Sequence, residues 1–280
     1  MIRILSDTST LYSTAQAVEA GFEVSPLSVT IGGASYREFD EISSDEFVAL
    51  IRKGNMPTSS QPAVGAVAAL YEKYQGDEII NIAMADGLSG TYSSAVAAAQ
   101  MSADQDNITV INSRTLCGPH RHLVETAVKM VSEGKTAAEI IEYTEKLMDT
   151  GKSFLMPADF GYLRRGGRLS HLVSYVGQAI KLAPILTQTE DGRQLTMSSV
   201  KRGFAQAIQH VAKELKDHGV GKNWRIYITH AAAPELAEKA KEILQKAFPE
   251  SIFEIYLLSP AFITQGGPEC VAVQVIKDHI

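Results

Sequence analysis

Cysteine is scarce in this chain. Cys117 and Cys270 are the only two, and they lie far apart. That spacing fits neither a metal site nor a disulfide framework, so a reducing, cytoplasmic setting is expected. Long apolar runs are also missing. None approaches the roughly 18 residues of a membrane span, so stable membrane insertion is not expected. Only a short apolar stretch precedes the polar turn in "MIRILSDTST", so no secretory h-region is read there. Basic excess is absent: 26 Lys and Arg stand against 32 Asp and Glu, a formal net charge of -6. Phosphate binding needs a basic face, so nucleic acid is not expected as a partner. The seven histidines have no metal spacing, and neither a metal nor another cofactor is expected. His120 and His122 read as surface residues, His230 in "YITHAAAP" as a structural one, and His171 after "GGRLS" as a weak ligand candidate. The dinucleotide pattern G-x-G-x-x-G is missing too, and "IGGASY" with Gly32-Gly33 reads as a turn.

What remains is ordinary globular material, 45% hydrophobic and 21% charged over 280 residues. That length suits one large domain or two of average size. Strand and helix patterns alternate in the first half. "IRIL", "FEVSPLSVTIGG", "EIINIA" and "ITVINS" read as strands. Between them lie helical patterns. Ser43 with Glu46 and Thr136 with Glu139 have capping-box spacing, and Pro62 suits a first helical turn. This order implies a mostly parallel sheet covered by helices. A break comes at "DFGYLRRGGRLS". Beyond it, "APILTQTEDGRQLTMSSV" reads as a hairpin around Asp191-Gly192. A helix over about 201–217, the strand "WRIYITH", the helix "PELAEKAKEILQKAF" and the strands "FEIYLLS" and "CVAVQVI" follow. The expected fold is therefore α/β with two α/β domains, residues 1–165 and 166–280.

Two hydroxyl clusters stand out. In "MADGLSGTYSSA", Ser89 and Thr91 flank Gly90 between a strand and a helix. Ligands gather outside the carboxyl ends of strands in open α/β sheets, and a helix start favours an anion. Gly90 lets a ligand approach the backbone. A plain helix cap accounts for the same residues equally well. A nucleophile is a poorer fit, because an esterase elbow needs G-x-S-x-G and Gly87-Leu88-Ser89-Gly90-Thr91 breaks it. In "PTSSQP", Thr58, Ser59 and Ser60 precede another helical pattern, again as caps or as donors to an anion. "RRGGR" places Arg164, Arg165 and Arg168 on a glycine-bent loop, suited to a solvated turn or to an acidic group.

Taken in order, these segments resemble the DegV family, the fatty-acid-binding subunits of the bacterial fatty acid kinase system. "ILSDTST" is similar to its D-S-T opening, and "SSQP" to its T-S-Q-P motif with Ser59 at the threonine position. "GLSGTYSSA" resembles G-L-S-G-T-Y-x-S-A, "VINSRT" resembles V-x-D-S-R-T, and "YLRRGGRLS" with "IKLAPIL" resembles L-x-x-G-G-R-I-S and its sequel. The resemblance implies two α/β domains with a long-chain fatty acid held between them. It implies that Ser59 and Ser89 hold the carboxylate, helped by Ser60, Gly90 and Thr91, with Arg168 near the head group or the partner face. A kinase catalytic subunit would phosphorylate the bound carboxylate, and the acyl phosphate would feed phospholipid synthesis. The chain would be a carrier without catalytic residues of its own. The alternative is a serine-dependent hydrolase or acyltransferase using Ser89, and a third reading is a structural or regulatory module.

The chain also departs from the pattern. Gln265 in "QGGPE" takes the place of a carboxylate-binding histidine, and glutamine donates hydrogen bonds without carrying charge. Glu269 replaces a glycine and Asn112 an aspartate. Ala85 and Asp86 stand where two serines are common. Two like charges about 4 Å apart repel by roughly 4 kcal/mol at an effective dielectric near 20. Asp86 must therefore turn away, be paired or be protonated if a carboxylate sits at Ser89.

Overall fold

The computed structural model describes residues 1–170 and 182–280. His171 and the first two residues of "IKLAPIL" lie outside them. In chain order the elements are β1 (Ile2–Asp7), a 3-10 turn (Thr8–Thr10), α1 (Thr14–Glu19), β2 (Glu23–Ser25), β3 (Ser28–Ile31), β4 (Ala34–Arg37), α2 (Ser44–Arg52) and β5 (Thr58–Ser60). Then come α3 (Val64–Lys73), β6 (Glu78–Ala83), α4 (Thr91–Met101), β7 (Ile108–Asn112), α5 (Cys117–Ser132), α6 (Ala137–Met148) and β8 (Lys152–Met156). The remainder is α7 (Phe160–Gly166), β9 (Leu182–Gln188), β10 (Leu195–Arg202), α8 (Phe204–Asp217), β11 (Trp224–His230), α9 (Pro234–Ala247), β12 (Ile252–Leu257), α10 (Pro260–Gly266) and β13 (Val271–Lys277).

The first sheet has order β2-β1-β6-β7 and is parallel throughout. Helices cover both of its faces, so β6 is buried on both, with Ile79, Ile80 and Ile82 and also Asn81 shielded from solvent. Capping boxes fix the starts of α2 at Ser43 and Glu46 and of α6 at Thr136 and Glu139. A small antiparallel sheet, β4-β3-β5, stands beside it.

The second sheet has order β10-β9-β8-β13-β11-β12. Its β9–β10 pair is the hairpin read around Asp191-Gly192, with Gly192 at φ 70°. β8 pairs antiparallel with β13, so this sheet takes its first strand ahead of residue 165. We place the crossing between the two units at Met148–Lys152. The sequence reading missed β8 because Lys152 and Ser153 break its apolar pattern.

Period-two alternation gives the second sheet two different faces. Val271, Val273 and Val275 of β13 join the core beneath α8 and α9, with Phe154, Ile208, Val211 and Leu244. The intervening Cys270, Ala272 and Gln274 face the other way, toward the first unit. Helix α5 seals the junction. Leu123 packs with Leu147, Tyr227 and Ile276, and a Cβ on Gly118 would fall 2.1 Å from the Tyr227 ring. The Arg121 guanidinium lies 3.6 Å from the Tyr12 ring centroid and 4.6 Å from that of Tyr256, joining the two units through aromatic faces.

Candidate functional site: a cavity between the two sheets

The strand order of the parallel sheet reverses between β1 and β6, and a crevice opens outside the carboxyl ends of strands at such a switch point. The loop from Met84 to Gly90 leaves β6 at this crevice. Met84 N–H donates to Asp7 Oδ2 at 3.0 Å, and Ala85 N–H donates to the Thr115 carbonyl at 3.0 Å. The amides of Leu88 and Ser89 both donate to the Ala85 carbonyl. The turn is therefore closed on itself and aims Ser89 at the second sheet. Ser89 Oγ accepts from Thr91 N–H at 3.2 Å and lies 2.8 Å from Thr91 Oγ1. The hydroxyl thus serves the first turn of α4 and still borders the cavity described below. Gly90 has no room for a side chain, since a Cβ there would come within 1.9 Å of Gln61 Oε1.

The second hydroxyl cluster is not a helix cap. Thr58–Ser60 form strand β5, paired with β3 through Ser59 opposite Val29. Helix α3 begins later, behind Ala63, with no side-chain cap. The apolar stretch after Pro62 made the helix readable, but β5 depends on a partner strand distant in sequence. On this strand Ser59 Oγ accepts a 3.0 Å hydrogen bond from Gln265 Nε2 of α10. Gln265 Oε1 packs on Gly166, where a Cβ would approach it to 2.0 Å. Arg168 donates from Nε to the Leu88 carbonyl at 3.2 Å and from Nη1 to the Gly166 carbonyl. Ser59, Gln265, Gly166, Arg168 and the Leu88–Ser89 turn therefore form one continuous set of contacts.

These groups border a cavity of about 410 Å³, within the usual size of a small-ligand site. Ser59, Ser60, Ser89, Gly90, Arg168 and Gln265 all line it. Thr91 does not. It is buried, and its hydroxyl reaches the site only through Ser89. Arg164 and Arg165 are also absent from the lining. They sit in the last turn of α7, where the Arg165 guanidinium lies 4.7 Å from the Tyr162 ring centroid. The rest of the wall is mainly apolar, with Leu27, Met84, Leu88, Leu116, Leu155, Leu163, Leu186, Leu195, Leu258 and Phe262. These residues come from both units, and no local pattern in the sequence marks them as a group.

Asp86 turns out of the cavity. Its carboxylate pairs with Arg193 at 3.3 Å, and Arg193 belongs to the β9–β10 hairpin. The neighbouring Gly87 packs so closely that a Cβ would lie 2.1 Å from Arg193 Cα. The hairpin tip is thereby clasped to the Ser89 turn. Asn112, the residue in the aspartate position, accepts from Asp86 N–H at 3.3 Å and Arg114 N–H at 3.1 Å.

Three polar side chains were misread or missed. His120 and His122 are buried, not on the surface. His120 Nε2 lies 2.9 Å from the Ile82 carbonyl, which only accepts, so Nε2 carries the proton. Nδ1 then accepts from Ser9 Oγ at 2.6 Å, and burial pushes the imidazole below its ordinary range. His122 Nε2 meets the Asp278 carbonyl at 3.0 Å. Their spacing of two hid the fact that α5 is covered on opposite sides by the two units. His230 is structural as read, with Nδ1 accepting from Ala233 N–H. Glu38 was not singled out at all. It is fully buried and accepts from Thr8 Oγ1 and, at 2.9 Å, from Ala261 N–H. Burial pushes its carboxyl up to about 7, partly offset by those hydrogen bonds. Glu38 thus ties the 3-10 turn to α10, the helix that carries Gln265.

The groups that line the cavity are mainly hydrogen-bonding and apolar ones. Among the described residues Ser89 Oγ is hydrogen-bonded to Thr91 alone, and no histidine lines the cavity. Both cysteines border it but are buried, and burial holds the Cys270 thiol at about 12 and raises that of Cys117, so neither is a thiolate. Among the described residues there is no His, Cys, Asp and Glu group suited to a metal ion, and no helix long and apolar enough to cross a membrane.

The fold and cavity define a class: two-unit α/β proteins with a cavity between the sheets, lined mainly by apolar side chains together with hydroxyls and amides. The family model described as an uncharacterised protein, DegV family, matches residues 1–278, and the chain belongs to the DegV family. A DegV domain-containing protein of Staphylococcus aureus is 31% identical over 280 residues, covering 98% of each chain. The crystal structure of DegV from Bacillus subtilis, described as a fatty acid binding protein, superposes with a TM-score of 0.86 at 27% identity over 99% of each chain. A Thermus thermophilus DegV family protein, described by its fatty acid binding, shares the fold with a TM-score of 0.88 at 24% identity over 99% of each chain.

Proposed function

We propose that the protein binds a long-chain fatty acid in this cavity and presents its carboxylate to a kinase. The observation that carries the reading is that Ser59, Ser89, Arg168 and Gln265 line one cavity whose remaining wall is mainly apolar. The fatty acid binding described for the Bacillus subtilis relative supports it. About fifteen buried methylenes contribute on the order of 12 kcal/mol gross, at about 0.8 kcal/mol each. Much of that is offset by the loss of ligand freedom. The chain therefore sets affinity, while the hydroxyls and Arg168 set which end faces outward. Ser59 accepts from Gln265, which leaves its own proton for a carboxylate oxygen. Gln265 stands in for a charged histidine by fixing this donor direction rather than by adding charge.

The carrier role needs no base or nucleophile in the chain. A partner kinase transfers phosphate to the presented carboxylate, and the acyl phosphate enters phospholipid synthesis. The test combines protein loaded with a fatty acid, a bacterial fatty acid kinase and ATP. Acyl phosphate formed only when all three are present supports the proposal. Fatty acid bound without any phosphorylation removes the kinase step, and failure to bind removes the carrier reading.

A further inference from the structure

The face of the second sheet that floors the cavity is apolar except for Ser153, Gln274 and, in β9, Gln188, whose amide donates to the Arg114 and Gly192 carbonyls. Leu186 of β9, Leu155 of β8 and Ala272 of β13 lie side by side, Leu155 being paired with both of the others. One residue pair further along, Ser153 faces Gln274. Both line the cavity, yet neither belongs to the head-group cluster around Gln265. Cys270 Sγ lies beside Gly266, the neighbour of Gln265. Gln274 is four strand residues beyond Cys270, about 13 Å at roughly 3.3 Å per residue.

Gln274 is 1% exposed. Its Nε2 donates to the Leu116 carbonyl at 3.0 Å and to Ser153 Oγ at 3.0 Å. A carbonyl only accepts, so the orientation of the amide is fixed. Among the described residues, Gln274 Oε1 is then a buried acceptor with no donor. Ser153 Oγ already accepts from the amide, so its proton is free to donate. One vacant acceptor beside one available donor matches a group that both donates and accepts, and a hydroxyl is the simplest such group. An unpaired buried acceptor is destabilising, so a ligand that satisfies it is favoured over one that does not. A saturated chain leaves it unpaired.

We infer that Ser153 and Gln274 form a second polar subsite that selects long-chain fatty acids carrying a hydroxyl near mid-chain. This rests on the fatty-acid reading above and specifies the substrate class of the same cavity. The distance along β13 places the hydroxyl well away from the carboxylate. An extended chain advances about 1.3 Å per carbon, given single bonds near 1.5 Å, so the separation spans roughly ten carbons.

The test is displacement of a fluorescent fatty acid from the purified full chain by three acids of equal length. One is saturated, one hydroxylated next to the carboxyl end and one hydroxylated near mid-chain. The mid-chain hydroxy acid is expected to displace the probe roughly tenfold more effectively than the saturated acid, and Ser153→Ala and Gln274→Met each abolish that difference. Equal displacement by the saturated and mid-chain acids overturns the subsite, as when the row merely holds a water. So does a preference for the acid hydroxylated near the carboxyl end, or a preference unchanged in Ser153→Ala. The wild-type comparison stands even if Gln274→Met fails to fold. If no acid displaces the probe and the probe itself does not bind, the fatty-acid reading fails instead.

Discussion

Two clusters in this protein use nearly the same side chains to opposite ends. Asp7, Ser9, Ser6 and His120 have the residue types of a hydrolytic triad, and Ser9 Oγ lies 2.6 Å from His120 Nδ1. Yet all four are buried, and each hydrogen-bonds its neighbours or the backbone of β6. Ser59, Ser89, Arg168 and Gln265 lack any base, but they open on a cavity. Access separates a site from a scaffold here, not residue type. The closed cluster holds the carboxyl ends of β1 and β6 in place, and the open cluster uses the crevice those ends create.

The comparison is broken most strongly by His120→Ala. Removing a buried ring with three partners leaves the Ser9 hydroxyl without its acceptor and the Ile82 carbonyl short of a donor, and unfolding should show a loss on the order of 3 kcal/mol. Fatty acid bound per mole of folded protein should stay near the wild-type value. A loss of binding with unchanged stability would place His120 in the site after all.

Glu38→Gln comes next. The folded carboxyl titrates at about 7, above its ordinary 4.5. An acid raised on folding is protonated in the native state while the unfolded chain has already released its proton. Its stabilising contribution is present below about pH 4.5 and lost as pH rises through 7. That loss is on the order of 3 kcal/mol across the window. Glu38→Gln should flatten it, as read by denaturant unfolding at several pH values, whereas an unaltered slope would assign the titration elsewhere.

Ser89→Ala sharpens the contrast on the open side. Losing the bond to Thr91 N–H is expected to cost about 1 kcal/mol of stability at most. Phosphorylation of bound acid should fall about tenfold or more while retention of the lipid changes little. Equal losses in both assays would mean that the hydroxyl anchors the lipid rather than orienting it. The smallest effect is expected for Asp86→Asn. Its partner Arg193 is 60% exposed, and such pairs contribute about 0–1 kcal/mol. Unfolding should barely change, while release of bound fatty acid should quicken slightly as the hairpin clasp loosens.

Much of the fold could be read from local patterns. β6 lies where its apolar run predicts, and both capping boxes form. The hairpin at Asp191-Gly192 and the apolar strand "CVAVQVI" were equally local signals. Elements that depend on distant partners were missed. β5 needs β3, and β8 needs β13. The site divides in the same way. Ser59, Ser89, Arg168 and Gln265 stood out through short motifs. Glu38 and the Ser153–Gln274 row did not, because each is defined by what surrounds it after folding.

The central claim is that this cavity exists to hold a fatty acid, and the most direct measurement is mass spectrometry of whatever small molecule is released when the purified protein is denatured. Free fatty acid near one equivalent per chain, with nothing covalently attached to Ser89, is the expected result. An empty protein that also fails to take up added fatty acid, or an acyl ester on Ser89, would contradict it.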